Sequence, residues 1–138
     1  MKKSFKHLIL LGFTAAAMAS ASLGFAQSAA PNLLDSLGRG MWQFRAIGGG
    51  ATGTAVNRIC VGDAHKLAQV QHQGLNCEHY VVRSGADNIT VSYSCRGQGQ
   101  GLTVIRKETS KLIHIDSQGI RNNSPFSFSV EARNIGPC

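Results

Sequence analysis

The chain has 138 residues, with 14 Lys and Arg against 7 Asp and Glu, and four cysteines. Three of the basic residues, Lys2, Lys3 and Lys6, lie in a segment expected to be removed, so the formal +7 falls to +4 without any Lys/Arg cluster, which speaks for solubility more than for an acidic partner. The 112 residues left after position 26 suffice for one domain with one core and exclude two.

Residues 1–7 carry the three lysines, residues 8–18 are apolar, and Ala19, Ser20, Ala21 and Ser22 follow. Charged, apolar and small-residue regions in that order are a secretory signal peptide, with cleavage expected after Ala26. A membrane span needs about 20 apolar residues, and this run is shorter and ends in Ala, Ser and Gly. No membrane anchor is expected after cleavage, and the expected location is periplasmic or secreted. The division that follows is a signal peptide over 1–26, an N-terminal segment over 27–39 and a single β domain over 40–138.

Asn32 precedes Leu33, Leu34 and Leu37, a pattern for a short helical turn over 31–37 with Asn32 as its N-cap. Residues 41–47 alternate, with Trp42, Phe44 and Ala46 on one face, and predict a half-buried strand anchored by Trp42. Gly48, Gly49, Gly50 and Gly53 lack the Lys-Ser or Lys-Thr pair of a phosphate loop and read as a flexible turn. A second strand is expected over 54–61.

Residues 62–74 predict the one helix of the mature chain. Asp63 is placed to cap it, Ala64, Leu67, Ala68 and Gln71 share a face, and Gly74 supplies a left-handed stop. The apolar stripe is thin, so the helix is expected on the rim of the fold. Residues 88–95 alternate most cleanly, turning Ile89, Val91, Tyr93 and Cys95 inward. Strands are also expected over 102–107, over 112–117 and over 126–133, the last with Phe126, Phe128, Val130 and Ala132 inward. Glycines 97, 99 and 101 mark a hairpin turn over 96–101, and 122–125 another. Consecutive strands with short connections imply a mainly β fold: an antiparallel meander of about six or seven strands, curled into an open barrel or small sandwich, with one short helix and two disulfides.

An even cysteine count in an exported chain favours disulfides over metal thiolates, and no C-x-x-C pair is present, which excludes zinc-knuckle and thioredoxin-type chemistry. Cys60, Cys77, Cys95 and Cys138 allow three pairings, among which sequence does not choose. The pairing expected here is Cys60 with Cys77, stapling the two ends of the helical excursion, and Cys95 with Cys138, tying the C-terminus to the core.

The leader, Gly40-Met41-Trp42 opening a strand, Cys60-Val61, a second cysteine after a short helix, Ser94-Cys95 ending an alternating strand, and the tail Ala132-Arg133-Asn134-Ile135-Gly136-Pro137-Cys138 together resemble an exported bacterial family known as domain of unknown function 3617. The resemblance runs from about Gly40 to Cys138. It implies an exported, disulfide-containing β domain, and it brings no catalytic residues and no cofactor.

His65, His72 and His79 are spaced by seven, and His114 and Asp116 share one strand face at i, i+2, a spacing suited to metal ligation. Gly74 breaks the helix between His72 and His79, however, and His65 and His72 stand about 10 Å apart by helical rise. No Ser occupies a G-x-S-x-G elbow, and the acids stand singly. Nucleic-acid binding would need exposed aromatics, whereas Trp42, Tyr93, Phe126 and Phe128 fall on apolar faces and export removes that partner. The expectation is a non-enzymatic binding or interaction module, for a small apolar ligand inside the curled sheet or for an envelope protein on its surface. The alternative is a metal-dependent or hydrolytic enzyme using the histidines and Asp116.

Overall fold

The computed structural model describes residues 32–48 and 57–138. The expected signal peptide with its cleavage point, most of the 48–53 turn and positions 54–56 of the second expected strand lie outside the described residues. The elements are a 3-10 turn, η1 (Leu33–Ser36), strands β1 (Gly40–Ala46) and β2 (Asn57–Val61), a second 3-10 segment, η2 (Ala64–His72), and strands β3 (Glu78–Ser84), β4 (Asn88–Cys95), β5 (Gly99–Thr109), β6 (Leu112–Arg121) and β7 (Ser124–Gly136).

The seven strands of the described residues form one open antiparallel sheet in the order β2-β1-β7-β6-β5-β4-β3. The mainly β class and the meander expected from the sequence are what the chain adopts. Two-residue loops close the tight hairpins. Asn122 and Asn123 both take positive φ, 50° and 63°, between the paired Arg121 and Ser124, as a turn matched to strand twist requires.

β2 and β3 are consecutive strands, yet they form the two opposite edges of the sheet. η2 therefore crosses the inner face from one edge to the other, touching β2, β4, β5 and β6 on the way. Leu67 and Ala68 are fully buried, and the Thr103 hydroxyl on β5 reaches the Ala68 carbonyl at 2.7 Å. This corrects the expected rim position: the stripe is thin because a short segment lying on a sheet needs few large side chains to fill the gap. η2 is also wound as 3-10 turns, interrupted at Gln69 (φ −120°, ψ 37°), so residues three apart share a face. Ala64, Leu67, Ala68, Gln69 and His72 are buried, while Gln71 is only half-buried.

Its ends are capped as the sequence suggested. Asp63 accepts from the His65 N–H, and Gly74 takes positive φ. η1 is capped likewise by Asn32 and Asp35 in a reciprocal capping box, and it lays Leu33, Leu34 and Leu37 on the same core, against β4 and η2. Trp42 is the anchor expected: it is fully buried and its indole N–H donates to the Gly38 carbonyl at 3.1 Å.

The disulfides are Cys60–Cys138 and Cys77–Cys95, which corrects the expected pairing of Cys60 with Cys77 and Cys95 with Cys138. The reason is topological. The excursion that starts at Cys60 does not return but ends at the far edge, so each cysteine finds its partner on its own side. Met41 of β1 pairs with Cys60 on one flank and Gly136 on the other, so Cys60–Cys138 straddles β1. Glu78 pairs with Ser94, which sets Cys77 opposite Cys95.

Two further expectations change. The β4–β5 turn is only Arg96, Gly97 and Gln98, whereas Gly99 and Gly101 belong to β5. Ala46 lies on the inward face but is exposed, because η2 does not reach that end of β1. Phe126, Phe128 and Val130 are half-buried for a related reason, with only Ala132 of β7 sealed.

Gly101 and Gly119 face each other across β5 and β6, between Tyr93 on β4 and Phe126 on β7. A Cβ on Gly101 would meet the Tyr93 ring at 2.6 Å, and one on Gly119 would meet the Gln100 carbonyl at 2.1 Å. The room left by Gly101 is where the Tyr93 ring lies, and Gly119 admits the close approach of the β5 backbone. We predict that Gly101→Ala and Gly119→Ala each lower stability by about 1–3 kcal/mol through overpacking, while Gly62→Ala, whose Cβ meets nothing within 4 Å, leaves it unchanged. Denaturant unfolding of the three variants measures this.

Candidate functional site

The five histidine and aspartate positions singled out by spacing do not converge. His72 is 1% exposed and sits edge-on to Tyr93 and Phe126, with ring centroids 5.4 and 5.9 Å away. Its Nε2 lies 3.3 Å from the Gln98 carbonyl and its Nδ1 lies 3.0 Å from the Tyr93 hydroxyl. A carbonyl only accepts, so Nε2 donates to Gln98 and Nδ1 accepts from Tyr93. Both ring nitrogens are thus occupied in tying the end of η2 to β4 and to the β4–β5 turn. Burial pushes the Tyr93 hydroxyl above its ordinary value, with the nearby Ser117 side chain offsetting part of the shift.

His65 and His79 approach one another, with ring centroids 6.5 Å apart, and His65 Nε2 lies 3.6 Å from Asp35 Oδ1. On the sheet's other side, His114 Nε2 lies 3.6 Å from Glu108 Oε1. Asp116 receives Arg106 at 3.2 Å and the Ser129 hydroxyl. Among the described residues no three of the His, Cys, Asp and Glu side chains are grouped to hold a metal ion.

His79 stands opposite Tyr93 in the β3–β4 register, and its Nε2 is buried without a hydrogen-bond partner among the described residues. Burial holds this imidazole below its ordinary 6.5, His65 and Lys66 push the same way, and Asp63 opposes them. The unfolded chain therefore binds the proton first as pH falls, so stability is lost on acidification from about pH 6.5 towards the lower folded value and is flat above it. Thermal melts from about pH 7.5 to about pH 5 should show Tm falling, and His79→Gln should flatten that fall. An equal slope in the variant would place the effect elsewhere.

What the fold does leave is a partly open cavity of about 220 Å³ between η2 and the β1–β2 pair. Phe44, Ile59, Val61, Leu67 and Val70 form its apolar wall, and Lys66, Gln69 and Gln73 add polar groups. It exists because η2 rests on β4 to β6 and only grazes β2, leaving the β1–β2 corner incompletely filled. A smaller recess of about 190 Å³ shares Phe44 and Val70 with it and runs to Ala46, Phe128 and Val130. A wider hollow of about 510 Å³ lies on the outward face over β4 to β7, lined largely by Ser92, Ser94, Gln100, Gln118 and Ser127. It is open to solvent, with polar and apolar lining in about equal measure, and Leu102 and Ile120 are its exposed apolar side chains.

Gln69 is the site residue that sequence reasoning missed. It is completely buried, and its Nε2 donates to the His72 carbonyl at 2.9 Å and the Leu75 carbonyl at 2.8 Å. A 3.6-residue period places position 69 off the apolar face, and the break in the 3-10 winding at Gln69 itself brings it inward. The signal available was a repeat of three, Ala64-Leu67 and Gln69-His72, on either side of the interruption. No protein-family model, no curated protein and no solved structure matches the chain significantly.

Proposed function

We propose that this chain is an exported, non-enzymatic binding module of the periplasm or the secreted fraction, holding a small apolar ligand between η2 and the β1–β2 pair. The observation that carries the reading is the apolar cavity of about 220 Å³. An engineered apolar cavity of about 150 Å³ admits benzene, whereas drug-sized ligands occupy about 300–1,000 Å³. The ligand is therefore of one-ring size.

Two disulfides support an oxidising compartment, and the N-terminal leader pattern makes it the periplasm or the exterior. The resemblance to domain of unknown function 3617 belongs to the same proposal, since it implies an exported β domain and no catalytic residues.

Native mass spectrometry of the protein taken from its own envelope or medium fraction tests this reading. Wild type is expected to retain a small apolar mass. Val70→Trp, which fills the cavity from a half-buried position, is expected to release it while keeping the wild-type circular dichroism. A wild type that carries no such mass and gains no Tm with p-xylene contradicts the proposal. On the enzyme alternative, His114→Ala and Asp116→Ala would abolish the cellular phenotype of a folded protein. The binding reading expects both variants to retain it.

A further inference from the structure

β3 is one of the two edges of the sheet, and among the described residues no strand pairs with its outer side. Natural edges are blunted by shortness, charge or proline, because unpaired N–H and C=O groups beside apolar side chains recruit another strand. β2, the opposite edge, follows that rule with five residues and an exposed Arg58. β3 has seven residues, and Tyr80, Val81 and Val82 in its middle are exposed by 74%, 42% and 56%.

The charges that bracket this apolar centre are also unspent. Glu78 precedes it and Arg83 follows it, and both are exposed with no ion-pair partner among the described residues. By register Glu78, Tyr80 and Arg83 share the outward face, opposite Ser94, Ser92 and Thr90. His79 and Val81 face inward, opposite Tyr93 and Val91.

An acid, an apolar centre and a base make a strand that complements itself when it meets a second copy antiparallel. A parallel meeting would set Glu78 against Glu78 and Arg83 against Arg83, which like charges oppose. The length available is limited at both ends. Cys77 is bonded to Cys95 on one side, and the register shift at Val82, between Val81 and Arg83, ends regular pairing on the other. The middle of the span 78–82 is Tyr80.

We propose that β3 pairs antiparallel with β3 of a second copy of this chain, about a two-fold axis at Tyr80, so that two seven-stranded sheets become continuous. Tyr80 then stands opposite Tyr80 of the other copy on the outward face, and His79 opposite Val81 on the inward face. Glu78 stands opposite Val82 and beside Arg83 of the other copy, so an ion pair forms at each end of the ribbon. One short ribbon buries little surface, and the dimer is of the weak, concentration-dependent kind. The cavity at the β1–β2 corner lies at the opposite edge and takes no part in it.

Sedimentation equilibrium of the oxidised mature protein, up to about 1 mM, tests the pairing. Wild type is expected to pass from monomer to dimer over that range. Glu78→Arg and Arg83→Glu each place like charges at both ends of the ribbon, and each is expected to weaken the dimer about tenfold. An equimolar mixture of the two variants is expected to recover the wild-type association, because each supplies the charge that the other lacks. Both positions are exposed, so both variants are expected to keep the wild-type circular dichroism and Tm. Tyr80→Lys sets two like charges on the axis and is expected to stay monomeric. A wild type that remains monomeric throughout overturns the proposal. A dimer indifferent to the single reversals, or one not recovered by mixing them, overturns it as well.

Discussion

The sheet has one apolar face, and the crossing of η2 over that face is the constraint on which the rest depends. Ile89, Val91, Ile105, Ile113, Ile115 and Ala132 all point to one side and all are sealed. With no second sheet among the described residues to pack on, they are covered by η2 and by η1. η2 achieves this with modest side chains and with polar ties: Thr103 to the Ala68 carbonyl, and His72 to Tyr93 and Gln98. The 3-10 winding suits the task, since nine residues rise further in that form than in an α-helix and so span more strands.

The two disulfides follow from the same crossing. Each holds one edge of the sheet where η2 leaves it or arrives, Cys60–Cys138 beside β1 and Cys77–Cys95 between β3 and β4. The loops they close span 78 and 18 residues, which in the chain-entropy model corresponds to roughly 4.5 and roughly 3 kcal/mol. The longer loop encloses η2, the meander and β7, so it opposes separation of β2 from β7 across the seam at β1. Coverage that is this economical leaves gaps, and the cavity at the β1–β2 corner is the one η2 fails to fill.

Much of this fold is readable in the residues themselves. Strict alternation placed β4 at its observed limits and turned Tyr93 and Cys95 inward, and Asn32, Asp63 and Gly74 marked the ends of both 3-10 segments. Trp42 was legible as an anchor because a lone indole on an alternating strand has few other places to go. What local pattern could not reach is set by long-range pairing. Cys60 and Cys77 are neighbours in sequence and stand at opposite edges, a fact decided by where β3 joins the sheet. Gly99 and Gly101 carry the signature of a turn, yet they serve inside a strand because Tyr93 and His72 need the space beside them. The site was least legible. His65, His72 and His79 drew attention by spacing and proved to be a buried tie and a loose pair, whereas Gln69 became visible only once the interruption in η2 was known.

The edge-to-edge crossing is tested most directly by non-reducing peptide mapping of the oxidised protein. The account predicts two linked pairs, Cys60 with Cys138 and Cys77 with Cys95. A Cys60–Cys77 peptide would contradict it, since that bond would return η2 to the edge it started from and remove both the cover of the inner face and the cavity beside it.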